Sequence, residues 1–395
     1  MKILIISPGY SPVTDLQGGA VEKLIELYLN HNEQIGDEIV LYTVKTDSDK
    51  YDKKIYNHTK YRIINKTGFK FKLMRAIYGI VNKFINNIFP NAYIKNVVND
   101  LKKHGDINEF DRIIFENGQN YIPFFIKKLK PKGKIILHLH NDYLNSDTKY
   151  GEIIYKKCDE IWAISKFIKN RVDYFNDSSE SKVKVLYNTI DYSMYKKRIT
   201  ESEKNEIRKE LNIKENDFVL IYVGRLMESK GVLELIKAFN IFNSKYLNSK
   251  LIIVGGNFDN KEKGDYITTL YKEKGDNENI IFKGYVPSNE VYKFYQLSNV
   301  QVIPTKANEA FGLVCLEGIA SGLPIIATNS GAMPEILDKA GFFVERTDLV
   351  NNIEMMLEKI LNEKHNFENY EIYYQNIMEK FSYEKYVQEY EKLLK

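Results

Sequence analysis

The sequence predicts an α/β protein of two doubly wound parallel sheets, and three observations carry that prediction. Short β-branched runs alternate with longer helical stretches from one end of the chain to the other. Most runs are continuously apolar, as strands covered on both faces are, rather than alternating between apolar and polar. At 395 residues the chain is also long for one core, since domains typically hold about 150 residues.

Taken in order, the first half offers strands at Lys2–Ser7, Glu38–Thr43, Tyr61–Ile64, Arg112–Glu116, Lys134–His140, Glu160–Ser165 and Val183–Asn188. The second half offers Phe218–Gly224, Lys250–Gly255, Asn279–Gly284, Val300–Pro304, Pro324–Asn329 and Phe342–Val344. Helices are expected between them, such as Ala20–His31 and Val232–Phe242, and Tyr383–Leu394 reads as a last helix. The break falls near Asp191–Ser202, where a strand gives way to the polar stretch Tyr195-Lys196-Lys197-Arg198. Expected domains are therefore 1–193 and 194–380. Ligands of such sheets bind beyond the carboxyl ends of the strands, so the residues there are the candidates.

Composition narrows the function classes. The 57 Lys plus Arg face 53 Asp plus Glu, and a net charge of +4 over the whole chain implies no nucleic-acid partner. Cys158 and Cys315 can make no disulfide framework and lack metal-ligand spacing, so a reducing cytosol is expected. The apolar run after Met1-Lys2 stops short of the roughly 7–15 residues of a signal peptide, and no run reaches the ~18 of a transmembrane helix.

Four strand ends carry candidate chemistry, and one further acidic pair does not. Gly18-Gly19 opens a helix, where uncovered N–H groups and the dipole favour an anion; a flexible turn is the other reading. His138 and His140 alternate onto one face, with His140 nearer the carboxyl end. A metal pair is tempting there, but without a third ligand it is a poor site, and either could be a hydrogen-bonded core histidine. In Gly224-Arg225-Leu226-Met227-Glu228-Ser229-Lys230-Gly231, two cations between glycines can neutralise a diphosphate, Arg225 as a planar fork and Lys230 as a point charge. In Pro304–Glu317 a helix is expected to open near Phe311, leaving the amides of Ala310 to Val314 as an anion site. Glu309 then lies in the loop, and Glu317 can accept bonds from a ribose diol. The small residues Gly318-Ile319-Ala320-Ser321-Gly322 imply that this helix packs closely, so Glu317 is not simple surface charge. Asp47-Ser48-Asp49 is a D-x-D in a charged stretch and reads as a surface loop rather than a metal site.

Gly224-Arg225-Leu226…Lys230-Gly231 with Glu309-Ala310-Phe311-Gly312-Leu313…Glu317 resembles glycosyltransferase family 4, whose E-x7-E motif has the spacing of Glu309 and Glu317. The similarity continues in Cys158–Ser165, Leu186-Tyr187-Asn188-Thr189-Ile190-Asp191 and Gly284-Tyr285-Val286-Pro287, and is only outlined between residues 44 and 110. The resemblance implies a GT-B fold: two Rossmann-like domains facing across a cleft, with a last helix at about 381–395 returning to the first. It implies retaining transfer of a sugar from a nucleotide diphosphate, with no metal or other cofactor. By position, Arg225 and Lys230 would bind the diphosphate, Glu317 the ribose and Glu309 the transferred sugar. The amides of Phe311, Gly312 and Leu313 would touch sugar hydroxyls and phosphate. Gly18 and Gly19 would face the diphosphate, His140 would line the reaction centre, and Tyr285 and Val286 would border the base. One departure is Asn188-Thr189, where the family usually has Asn-Gly.

The acceptor side is read from charge. Between Lys66 and His104 stand Lys66, Lys70, Lys72, Arg75, Lys83, Lys95, Lys102 and Lys103, opposed only by Asp100 and interleaved with Phe69, Phe71, Leu73, Met74 and Ile77. Such a segment can lie on an anionic bilayer, or be a solvated helix with its apolar side inward. The first reading fits a lipid-linked glycan acceptor at the inner membrane face, as in capsule, O-antigen or teichoic-acid assembly. A soluble small-molecule acceptor and a catalytically silent nucleotide-sugar-binding scaffold are the rivals.

Overall fold

The structure, a computed structural model, describes residues 1–14, 19–45, 54–84, 91–256, 265–362 and 370–395. They form two compact units, Met1–Asn188 with Tyr386–Lys395, and Thr189–Lys385. The chain thus crosses between units at Asn188–Thr189 and Lys385–Tyr386, against the sequence expectation of 193–194 and 380–381.

The first unit holds β1 (Lys2–Ile6), β2 (Glu38–Lys45), β3 (Thr59–Asn65), β4 (Arg112–Glu116), β5 (Lys134–Leu139), β6 (Glu160–Ala163) and β7 (Val183–Val185). They make a fully parallel sheet in the order β3-β2-β1-β4-β5-β6-β7. The second unit holds β8 (Phe218–Val223), β9 (Ser249–Val254), β10 (Ile280–Gly284), β11 (Val300–Ile303), β12 (Ile325–Thr328) and β13 (Gly341–Val344). Their order, again all parallel, is β10-β9-β8-β11-β12-β13.

Burial explains why these runs are strands. Central strands such as β8 and β9 are buried along nearly their whole length, whereas the edge strand β3 is buried only at Thr59 and Arg62. β5, β6 and β7 stop one to three residues before the sequence expectation, because the following residues turn away into caps and loops. Ser165, for instance, leaves β6 to accept the amide of Ile168 at 3.1 Å and so starts the helix Lys166–Val172. Thr200 and Glu203 form a capping box that starts the helix Glu201–Glu210.

The first unit's core gathers around aromatic groups brought in by the helix Tyr383–Leu394. The Tyr390 ring stacks on Tyr28 with centroids 3.9 Å apart and meets the edge of Trp162 at 5.1 Å. His31 Nε2 lies 2.5 Å from Glu391 Oε1, and Arg112 Nε donates to Leu394 O at 3.0 Å. No helix among the described residues is long and apolar enough to cross a membrane. Trp162 is the only tryptophan, so its fluorescence reports unfolding of the first unit alone. Tyr390→Ala removes the stack and leaves a cavity, and we expect it to lower that unit's stability by about 3–5 kcal/mol. Urea unfolding followed by Trp162 emission checks this, and an unmoved midpoint contradicts it.

Candidate functional site

In the second sheet the strand order reverses at β8, which lies between β9 and β11, and the crevice beyond these strand ends is where such sheets take ligands. The loops after β8 and β11 are joined backbone to backbone. Ser229 O accepts from Lys306 N at 2.8 Å and from Thr305 Oγ1 at 3.3 Å. Gly231 closes the turn Glu228–Lys230 at φ +69°, and a Cβ there would overlap Pro304 O. On the other side of the second loop, Gly331 lies against the backbone of Glu309, whose carbonyl accepts from Ala332 N at 2.8 Å.

This closure brings Lys230 and Glu309 together: Lys230 Nζ donates to Glu309 Oε1, both side chains partly buried. Arg225 is exposed beside them, with its carbonyl held by Tyr222 Oη at 2.8 Å, and its guanidinium pairs with no carboxylate among the described residues. The buried Tyr222 hydroxyl is pushed up first by burial and also feels Glu309 and Arg225. Burial likewise pushes up the Cys315 thiol, which feels Glu309, Glu317 and Lys230. Residues of the two loops therefore share one neighbourhood.

The helix carrying Glu317 runs over Leu313–Ala320, two residues later than expected, because Gly312 takes φ +90° and serves as its N-cap. Glycine has no side chain to cap the first amides, which leaves the helix start open to an anion. The Phe311 ring is buried edge-on against Phe381, with centroids 5.5 Å apart, so only its main chain can meet a ligand. Glu317 is half-buried and accepts from Tyr295 Oη at 2.9 Å. Tyr285 and Val286 follow β10, with Tyr285 exposed and Val286 half-buried.

In the first sheet the order reverses between β1 and β4, and the ends of β4 and β5 carry a buried cluster. Glu116 Oε2 lies 2.7 Å from His140 Nε2, a hydrogen bond, and 2.9 Å from His138 Nδ1, where alignment is too poor for one. The sequence expectation that the histidines lack a third ligand is thus overturned: Glu116 supplies a carboxylate that the separation in sequence concealed. Its Oε2 already accepts the proton that a metal at His140 Nε2 would displace. Burial pushes the Glu116 carboxyl up, but the two imidazoles outweigh it and hold it at about 2. Burial, then His138, push His140 down to about 4 against the pull of Glu116. The His140 ring is only 3% exposed, and its amide is latched to Asn117 Oδ1 at 2.8 Å.

Gly19 does cap the helix Ala20–Ile35, but its amide is not open as expected: it donates to Glu22 Oε2 at 3.0 Å. Burial pushes that carboxyl up against the backbone amides of Glu22, Gly19 and Ser11, which favour its charge. Gly18 and Asp47-Ser48-Asp49 lie outside the described residues.

Residues 203–377 match the family described as glycosyl transferases group 1. The matched stretch lies within the second unit. It contains Arg225, Lys230, Tyr285, Val286, Glu309, Gly312 and Glu317.

Among curated proteins, the chain is 31% identical over 183 residues to an uncharacterized glycosyltransferase of Methanocaldococcus jannaschii, covering 46% of this chain and 45% of that one. It is 26% identical to the lipopolysaccharide 1,2-N-acetylglucosaminetransferase of Salmonella typhimurium, over 68% of this chain and 69% of that one. It is 31% identical to the capsular polysaccharide biosynthesis glycosyltransferase CapM of Staphylococcus aureus, over 52% and 53%. The alignments to the first and last of these span about half of each relative. Among solved structures, Anabaena HepE in complex with UDP and glucose superposes with a TM-score of 0.73 at 16% identity, over 100% of this chain and 99% of that one. The fold is GT-B, two Rossmann-like parallel sheets.

Within the matched residues 203–377, the sequence named the cations and both glutamates but missed Tyr295, Ser229 and Gly331, which hold them. Glu116 was also missed, although it ends a strand, the position that marks candidates in such sheets.

The cluster beneath β4 and β5 sets a pH dependence. An unfolded histidine takes its proton near 6.5, whereas folded His140 waits until about 4, so the unfolded state binds protons first as pH falls. The first unit should therefore hold this stability fully above about 6.5 and lose it towards about 4, with Glu116 continuing the loss from 4.5 to about 2. Urea midpoints from Trp162 emission between those values test it, and a flat midpoint contradicts it.

Proposed function

We propose that the chain is a retaining glycosyltransferase that moves a hexose or N-acetylhexosamine from a nucleotide-diphosphate sugar, UDP first and GDP next. The acceptor we assign is a lipid-linked glycan intermediate of surface-polysaccharide assembly. The observation that carries this reading is the joined pair Lys230–Glu309 beside exposed Arg225 at the strand switch of the second sheet, within the stretch that matches the family. The capsular and lipopolysaccharide relatives support the acceptor class, and the UDP and glucose of the Anabaena structure support the donor class.

Breaking a sugar–phosphate bond leaves an oxocarbenium-like sugar and a diphosphate that gains negative charge. Arg225, Lys230 and the uncapped start of Leu313–Ala320 stabilise that leaving group by charge and by oriented amides, a role that calls for no metal ion. Glu309, held beside the diphosphate's cation, faces the sugar as positive charge develops there. Front-face attack, with the departing phosphate taking the acceptor proton, then retains configuration without a protein nucleophile. The reading also assigns His140 to the reaction centre, its ring hydrogen-bonded to Glu116.

We expect Arg225→Ala to lower turnover by roughly 10²–10³, the loss typical of one preorganised donor. Glu309→Gln keeps shape and removes charge, so it should lower kcat as well. A panel of nucleotide sugars tested for transfer in EDTA, with the product's anomeric configuration read by NMR, checks both variants and the metal-free route. Full activity of folded Arg225→Ala, or an inverted product, would sink this reading.

The membrane reading has its own support. On the helix Phe69–Phe84, Phe69, Leu73 and Ile77 follow one another at four-residue spacing and are 80%, 50% and 49% exposed, flanked by exposed Lys72 and Arg75. Not every cation of the segment is available: Lys66 binds the carbonyls of Gly9 and Tyr10, and Lys95 bonds Tyr78. An apolar ridge between cations suits an anionic bilayer, at about 1 kcal/mol per engaged cation. Liposome flotation should show binding to anionic vesicles that high salt reverses and that Leu73→Glu abolishes. Equal flotation with neutral and anionic vesicles would contradict it.

A further inference from the structure

Three side chains from three elements of the second unit form a directed hydrogen-bond chain that ends on Glu317. Gln301 on β11 is fully buried, and its Nε2 donates to Val314 O at 3.0 Å and to Tyr295 Oη at 3.3 Å. Tyr295, on the helix Val291–Gln296 and also fully buried, lies 2.9 Å from Glu317 Oε2. A phenol has one proton and can accept as well as donate. With Gln301 donating to its oxygen, its proton is directed at the carboxylate.

The sequence makes room for this chain at one position. Gly318 lies on the helix next to Glu317, and a Cβ there would overlap Gln301 Oε1, so only glycine lets the amide pass beneath the helix. Tyr195 closes the other side, edge-on to Tyr295 with centroids 6.0 Å apart. Its hydroxyl is pushed up first by burial and then by Glu317, which places it against the same carboxylate. Glutamate otherwise has several rotamers open to it, and holding one oxygen in a buried, charge-assisted bond selects among them.

We propose that Tyr295, aimed by Gln301, is a positioning residue that fixes Glu317 to recognise the ribose hydroxyls of the donor nucleotide, and so sets selectivity for ribose over deoxyribose. This rests on the donor reading above. A carboxylate has about four acceptor sites, more than a single phenol can fill, so a bond from Tyr295 is compatible with a diol on the same group. A carboxylate held in place binds the diol without first giving up rotamer freedom.

The test is calorimetric titration of the whole chain with UDP and with 2′-deoxy-UDP, and with the GDP pair if UDP does not bind. The wild type should prefer the ribonucleotide by about 10-fold, one hydrogen bond to a charged group. Tyr295→Phe keeps the ring and removes only the hydroxyl. It should weaken UDP binding several-fold and leave 2′-deoxy-UDP nearly unchanged, so that the preference collapses. Gln301→Met, which removes the aiming donor at similar volume, should move the preference the same way by a smaller factor. A purely structural loss would weaken both nucleotides equally and overturn the proposal, as would an undiminished preference in folded Tyr295→Phe. Failure of the wild type to bind any of the four nucleotides would instead overturn the donor reading itself.

Discussion

The second unit's mouth depends on the contact between Lys230 and Glu309. Neither residue reaches it through its own element. Lys230 ends a single turn after β8 and Glu309 sits in a loop after β11, and the two loops are joined through the peptide groups of Ser229 and Lys306. Glycine is what allows that approach: Gly231 against Pro304 and Gly331 against Glu309 leave no room for a methyl group. Because the charges ride on a hydrogen-bonded backbone, the fold itself holds them in place, and fixed charges of this kind act most strongly on a reacting group.

The first unit handles polarity differently. Its carboxylates turn inward, Glu116 towards two imidazoles and Glu22 towards the amides at the head of its own helix. A carboxylate buried with hydrogen-bonded partners keeps its charge, and removing a partner leaves an uncompensated group in a low-dielectric interior. Asn117, at φ +59°, holds the end of β5 in place over this cluster through the His140 amide. The rigid polar interior and the exposed basic ridge on Phe69–Phe84 are thus separate features of one unit.

The fold was legible because its signal is repetitive. Thirteen apolar runs, each bounded by turn residues, found their strands, with errors confined to the ends, where the last residues of β5 to β7 become caps and loops. The charged site residues were legible because they follow strands between glycines. What was hidden depends on pairing across the sheet. Nothing local marks Glu116 as the neighbour of His138, although parallel register sets the two side by side. Tyr295 gave no signal either, since a tyrosine in a short amphipathic helix looks like core. The open Gly19 amide was misjudged for a related reason: Glu22, three residues on, turns back to occupy it.

One feature of the topology bears on how the protein is made. The aromatic stack that completes the first unit includes Tyr390, yet the whole of Thr189–Lys385 is translated between Asn188 and Tyr386. At about 5–20 residues per second, ribosomes spend roughly ten to forty seconds on that stretch. During this interval the second unit, one uninterrupted piece of chain, can form while the first waits with Tyr28 and Trp162 uncovered. The nascent first unit is therefore the one that a chaperone has reason to shield.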